Sequence, residues 1–204
     1  MWILPSRGRS QNVHRLMDVY EKTGATTPVW LRLDDDDPNP EYHHENWTVD
    51  IGPKLPLSEI YAEAYRKFPD SEWYGFIADD VVPLTSNWDT KLIEAAGHDG
   101  MAVPAGGDTT GGCPHFVLGG DLARSIGWLA LPGLNRLYID TCWGKIAEQR
   151  GVLRHVPEVL LEHRHFSNKL ALFDATYKKS PIIKENDKRL YERWLADTIV
   201  KTSM

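Results

Sequence analysis

The sequence predicts an α/β fold, a mainly parallel central sheet flanked by helices. Three observations predict it. Short apolar runs with strand character alternate with segments of helical periodicity. With 204 residues, 42% hydrophobic and 25% charged, the chain can bury one core of ordinary size. Charged clusters stand where strands would end, and open α/β sheets bind ligands outside the carboxyl ends of their strands.

Trp2-Ile3-Leu4 reads as a buried strand, followed by a turn, Pro5-Ser6-Arg7-Gly8-Arg9, that carries two cations. A helix follows, with Ser10 as N-cap, Val13, Leu16, Met17 and Tyr20 on one face, and Gly24 at its end. Val29-Trp30-Leu31-Arg32-Leu33 is the second strand, closed by Asp34-Asp35-Asp36-Asp37-Pro38, and Trp47-Thr48-Val49-Asp50-Ile51 the third. A helix near Ser58 places Ile60, Ala64 and Phe68 roughly on one face. The fourth strand runs from Trp73 to Ala78 and delivers Asp79 and Asp80. Ser86-Asn87-Trp88-Asp89 has the pattern of a capping box opening a helix through Ala96.

The second half is less regular. Residues 105–114 are Gly-rich and read as a loop able to close over a ligand. Phe116 to Asp121 passes from strand into helix. Leu137-Tyr138-Ile139-Asp140 opens a helix that ends near Gly151. Val159-Leu160-Leu161 leads to Glu162-His163-Arg164-His165, and a final amphipathic helix uses Leu190, Trp194 and Ile199.

Composition narrows the function. A net charge of −6 argues against a general nucleic-acid binder. Two cysteines, Cys113 and Cys142, make neither a disulfide framework nor a four-Cys zinc site. No apolar stretch reaches membrane-spanning length, and no basic or long apolar leader precedes Trp2, so a cytoplasmic protein without membrane partners is expected. The GxxxxGK[ST], GxGxxG and GxSxG patterns are absent; Gly106 and Gly111 have phosphate-loop spacing, but Gly112 stands where the lysine must be.

Asp79 and Asp80 are the leading feature. Two carboxylates at the end of an apolar strand suit a hard divalent cation, Mn²⁺ or Mg²⁺; the plain alternative is a solvated turn. His163 and His165 alternate along a strand, share a face and could complete the coordination, or be satisfied within the fold. Arg7 and Arg9, before a helix N-terminus, suit phosphate oxygens, with Lys54 a weaker addition; solvated cations are the alternative. Asp34 or Asp35 is expected to accept from a base or ribose, with the later aspartates solvated. Asp140 reads either as an N-cap or as a general base.

In their order, the Pro5–Arg9 turn, the acidic end of the second strand, Asp79-Asp80, Asp140 and a late histidine resemble nucleotide-sugar glycosyltransferases of the GT-A fold, over roughly residues 2–166. Glu162-His163-Arg164-His165, with Asp174-Ala175-Thr176-Tyr177, resembles small bacteriophage-type members, some of which modify hydroxymethylated pyrimidines in DNA. The resemblance implies one domain over residues 1–204, with a Rossmann-like donor half to about residue 100 and an acceptor half beyond. It implies that Pro5, Ser6, Arg7, Arg9, Asp34, Lys54 and Asp79 bind a nucleoside-diphosphate sugar, UDP-sugar by default. Asp80, with Asp79 and His163 or His165, would ligate Mn²⁺ or Mg²⁺, and Asp140 would be the base of an inverting transfer. Ala78 departs from the family, standing at the first position of a strict DxD triplet.

The acceptor is expected to be a hydroxyl, in phage-type relatives a modified DNA base in the host cytoplasm. Lys178, Lys179, Lys184, Lys188 and Arg189 would then face DNA; a solvated basic helix is their plain reading. Two other functions compete. A nucleotidyltransferase would carry a longer Gly-rich N-terminal loop followed by lysine, and Pro5 to Ser10 is too short. A noncatalytic nucleotide- or carbohydrate-binding module would need no Asp140.

Overall fold

The computed structural model describes residues 1–37, 41–106, 113–165, 169–170 and 181–202. Residues 107–112 of the Gly-rich loop, the segment 174–177 and Lys178 and Lys179 lie outside them, as does the side chain of Ile199.

Strands β1 (Trp2–Ser6), β2 (Val29–Asp34), β3 (Trp47–Gly52) and β4 (Trp73–Phe76) alternate with helices α1 (Ser10–Lys22) and α2 (Leu57–Lys67). There follow β5 (Val81–Pro83), α3 (Trp88–Ala96), β6 (Met101–Ala105), β7 (Phe116–Gly119), α4 (Gly120–Ile126), α5 (Ile139–Arg150), β8 (Leu153–His163) and α6 (Pro181–Thr202). They build one eight-stranded sheet in the order β3-β2-β1-β4-β7-β6-β8-β5. The first four strands are parallel, as expected for the N-terminal half. β7 and β5 run against the others, so the whole sheet is mixed.

Side-chain alternation along β1 explains the two core layers. Trp2 and Leu4 face α1 and α3, packing with Leu16, Tyr20, Trp88 and Leu92. Ile3 faces the other way, towards α2, α4 and α5, with Ile60, Leu122, Trp143 and Ile146. The buried face of α1 is Val13, Leu16, Met17 and Tyr20, the period read from the sequence. Trp88 and Trp143 are core residues; Trp143 Nε1 donates to the Leu129 carbonyl at 2.8 Å, and Trp128 packs on its ring. Leu190 and Trp194 of α6 are half-buried against the second layer.

Some boundaries differ from expectation. β1 continues through Pro5 and Ser6, so the cationic turn is only Arg7-Gly8-Arg9. Ser10 begins α1 and Arg9 holds the capping position. The capping box at 86–89 does not form, because Asn87 is left-handed (φ 54°) and α3 starts at Trp88. Asp89 instead turns inward, fully buried, and accepts from Thr26 N, Thr27 N and Thr27 Oγ1 at 2.9, 3.0 and 2.9 Å. It ties α3 to the connection before β2. Among the described residues no helix is long and apolar enough to cross a membrane.

Gly75 is a packing requirement. It pairs in register with Trp2, and a Cβ there would lie 2.2 Å from the Trp2 ring atom Cε3. Trp2 is fully buried and has no room to yield. Gly75→Ala should therefore cost about 1–3 kcal/mol as overpacking, read as a lower denaturant midpoint.

Candidate active site

Strand direction decides what meets at one sheet edge. The carboxyl ends of β1, β2, β4 and β8 converge there, with the amino ends of the antiparallel β5 and β7. A cleft of about 1260 Å³ opens along this edge. It is lined by Pro5, Ser6, Arg7, Arg9, Asp34, Lys54, Asp79, Asp80, Asp140, His163 and His165, whereas Asp35, the alternative to Asp34, and Lys188 and Arg189 do not line it. A volume of this order holds a ligand at least as large as a typical small molecule.

At its floor stand two buried carboxylates. Asp79 Oδ2 accepts from Ser6 Oγ at 2.6 Å. One guanidinium nitrogen, Arg9 Nη1, lies between the pair, 3.2 Å from Asp79 Oδ1 and 3.4 Å from Asp80 Oδ2. The sequence places Arg9 there by putting it in the capping position of α1, directly after β1. Burial pushes the Asp79 carboxyl above the usual range, with Asp80 adding repulsion and Arg9 pulling the other way. The folded chain therefore holds this proton more tightly than the unfolded chain. Its contribution to stability is present in acid and is lost as pH rises through the folded value. A site of this kind gains from a second cation.

The three-residue strand β5 brings a histidine to that floor. Val81 is in register with His163, so Asp80, one residue earlier, lies beside the end of β8. Arg164 N donates to the Asp80 carbonyl at 2.7 Å, and His163 Nε2 stands 3.3 Å from Asp80 Oδ1. His165 follows with its ring 5.1 Å from that of His163. His115, at the amino end of β7, meets His163 edge-on at 4.7 Å and is 2% exposed. His115 carried no signal in the sequence, being a lone histidine after the Gly-rich segment.

The residues fit a divalent cation in part. Two cis ligands with bonds of ~2.1 Å stand about 3 Å apart, close to the separation of Asp80 Oδ1 and His163 Nε2. A carboxylate with an imidazole is also a donor set for borderline ions. Among the described residues, however, no three His, Cys, Asp or Glu side chains form a ready-made cage. Further ligands would have to come from water or a phosphate, as is usual for Mg²⁺. Burial pushes both thiols, Cys113 and Cys142, up to about 12, so neither supplies a thiolate.

The wall beside β2 is polar. Arg7 reaches Asp36 at 2.6 Å and Asp34 at 3.3 Å. Burial raises the Asp34 carboxyl, and Arg7 and Arg32 oppose that shift. Asp37, expected to be solvated, is buried and accepts from Gly8 N at 2.8 Å, closing the Arg7-Gly8-Arg9 turn. Arg32, missed in the sequence as part of a strand, is 2% exposed. It pairs with Glu63 at 3.1 Å and donates to the Pro53 carbonyl at 3.0 Å, fixing the loop that carries Lys54 into the cleft.

The opposite wall is the connection 133–138 and the start of α5. Asp140 is the second residue of α5 and half-buried; Tyr138, left-handed at φ 66°, holds the capping position expected for Asp140. This wall is clamped twice. Ser58 Oγ donates to the Leu134 carbonyl on one side. On the other, Asp187 of α6, 2% exposed, accepts from the amides of Asn135, Arg136 and Leu137 at 2.8, 2.9 and 2.8 Å. The Tyr138 and Tyr191 rings stack at 4.9 Å. A carboxylate 50 residues downstream of its amides leaves no trace in local sequence.

No protein-family model and no curated protein sequence matches the chain. Solved structures do. The mannosyltransferase PcManGT of Pyrobaculum calidifontis, solved with GDP-Man and Mn²⁺, superposes with a TM-score of 0.62 at 10% identity, over 79% of this chain and 55% of that one. GalNAc-T7, solved with UDP, GalNAc and Mn²⁺, superposes at 0.62 with 13% identity, over 79% of this chain and 43% of that one. The chain thus spans about half the length of these two proteins. A Bacillus anthracis protein described as a glucose-1-phosphate thymidylyltransferase, solved with sucrose, superposes at 0.55 with 9% identity, over 86% of this chain and 98% of that one. At such identities the likeness is one of fold, and the fold of this chain is that of the GT-A-type nucleotide-diphospho-sugar transferases.

Proposed function

We propose that the chain is a metal-dependent glycosyltransferase that moves a sugar from a nucleoside-diphosphate sugar, UDP-sugar first, to an acceptor hydroxyl. One observation carries this reading. Arg9, Asp79, Asp80 and His163 form one buried cluster at the strand ends, in the same cleft as Asp140. A binding module has no use for a half-buried carboxylate facing the cleft from a clamped wall. The modified-DNA acceptor gains no support from the solved relatives, and the acceptor is taken only as a hydroxyl. We assign the donor to residues 1–100 and the acceptor to residues 101–204 of one domain working in the cytoplasm.

Asp80 and His163 would hold Mn²⁺ or Mg²⁺, with Asp79 and His165 beside them. The ion, when bound, supplies positive charge to the leaving diphosphate. Arg7, Arg9 and Lys54 bind its phosphate oxygens and offset the charge that grows on them. Asp34 accepts from the nucleoside. The acceptor oxygen attacks the anomeric carbon from the face opposite the diphosphate. The C–O bond to the diphosphate breaks, its electron pair leaves with the nucleoside diphosphate, and Asp140 takes the hydroxyl proton. Displacement from the opposite face inverts the anomeric centre.

The neighbour described as a glucose-1-phosphate thymidylyltransferase raises nucleotidyl transfer as a second reading on the same fold. Its attack falls on the α-phosphorus of a nucleoside triphosphate, so a triphosphate would bind better than a diphosphate. A thermal-shift panel separates the two. With UDP and Mn²⁺ together at ~100 times the dissociation constant, stabilisation should be about 2.7 kcal/mol, or about 5–10 °C for a chain of this size. UDP or Mn²⁺ alone should give much less. A shift only with triphosphates would favour the second reading.

A further inference from the structure

We infer that Asp187 is a positioning residue for the transfer: through the connection before α5 it sets the direction in which that helix presents Asp140. The inference rests on the transferase reading, in which Asp140 is the base, and adds the group that aims it. Asp187 does not line the cleft, so it acts through other residues.

Tyr138 is strained. Its φ of 66° and ψ of 8° are a left-handed backbone that a residue with a Cβ rarely adopts, and such a conformation persists only where the surroundings over-determine it. Tyr138 is also the last residue before α5, and its carbonyl accepts from Cys142 N at 2.9 Å, a bond of the first helical turn. The turn at Tyr138 therefore decides where α5 begins and where Asp140, two residues on, stands.

Two side chains of α6 impose that turn. One oxygen of the buried Asp187 carboxylate accepts from Asn135 N, and the other from Arg136 N and Leu137 N. The three residues before Tyr138 are thus held by one side chain. Four residues along α6, on the same helix face, the Tyr191 ring lies over the Tyr138 ring, 9° from parallel. On the other side Ser58 N, in the first turn of α2, donates to the Asn135 carbonyl at 3.2 Å. That contact holds the start of the connection, and Asp187 and Tyr191 hold its end. A charged acceptor suits the task, because hydrogen bonds to an ionised group are the stronger ones. An asparagine of the same shape accepts through one oxygen only and turns an NH₂ donor on the remaining amides.

The test compares Asp187→Asn with Trp194→Leu in the full chain. Trp194 is half-buried against the second core layer, so its substitution loosens α6 and leaves the carboxylate in place. Amide exchange needs no ligand and is read first. In Asp187→Asn it should accelerate about tenfold or more at residues 135–137 and at Cys142. The Gly8 amide, held by Asp37 at the donor end, should be unchanged. Single-turnover hydrolysis of UDP-sugar with Mn²⁺ should fall about 10- to 100-fold at unchanged UDP affinity, as for a displaced catalytic group. Trp194→Leu should lower the melting temperature and keep the rate. Acceleration confined to 135–137, or rates that simply follow the melting temperature in both variants, overturns the inference while UDP binding leaves the transferase reading standing. Where the unmodified chain hydrolyses no UDP-sugar, exchange at Cys142 alone decides. Should the unmodified chain not bind UDP with Mn²⁺, the transferase reading fails and the inference falls with it.

Discussion

Asp140→Asn should lower sugar transfer by about 10²–10⁴-fold and leave nucleoside-diphosphate affinity unchanged. The substitution keeps the shape of the side chain and removes its ability to accept a proton. Asp140 is half-buried at the second position of α5 and does not cap it, so the helix keeps its start. A nearby hydrogen bond, from Thr141 Oγ1 to Asp140 Oδ1 at 3.3 Å, survives with an amide oxygen. Until an acceptor is known, hydrolysis of UDP-sugars in single-turnover assays reads the same proton transfer, with water as acceptor. A variant that hydrolyses the donor as fast as the unmodified chain would remove Asp140 from the chemistry. A variant that loses UDP binding as well would give it a structural role.

Asp80→Asn should weaken Mn²⁺-dependent UDP binding by about 100-fold or more. Loss of groups that only orient metal ligands costs ~10–100-fold, and a ligand itself should cost at least that. His163→Gln should act in the same direction, because His163 Nε2 faces Asp80 Oδ1 at 3.3 Å. UDP binding measured without metal should differ little between the variants and the unmodified chain. An Asp80→Asn protein that still binds UDP more tightly with Mn²⁺ than without it would contradict this assignment.

What the sequence disclosed, and what it hid, follows from the range of the interactions. The parallel N-terminal half was legible because β1, β2 and β4 are mostly apolar runs with charged residues at or just beyond their ends, while β3 is a shorter, half-exposed strand of Trp47, Val49 and Ile51 broken by Thr48 and Asp50. Arg9, Asp34, Asp79 and Asp80 could be placed at one edge by that pattern alone. β5 was hidden, since three residues directly after an Asp pair read as a turn, yet β5 sets Asp80 against His163. The reversal of β7 was equally invisible, and it is what brings His115 to the site. The aspartates misled where tertiary contacts overrode local rules. Asp89 looked like part of a capping box and is a buried tie to Thr26 and Thr27. Asp37 looked solvated and holds the Gly8 amide. Asp187 drew no notice on a charged helix, and it fixes the wall that carries Arg136 and leads to Asp140.

The most direct test is anomalous diffraction at the manganese edge from crystals grown with UDP and Mn²⁺. A single strong peak within bonding distance of Asp80 and His163, touching the UDP diphosphate, is the predicted result. Ordered UDP in the cleft with no metal peak there, or with manganese bound only elsewhere, would contradict it.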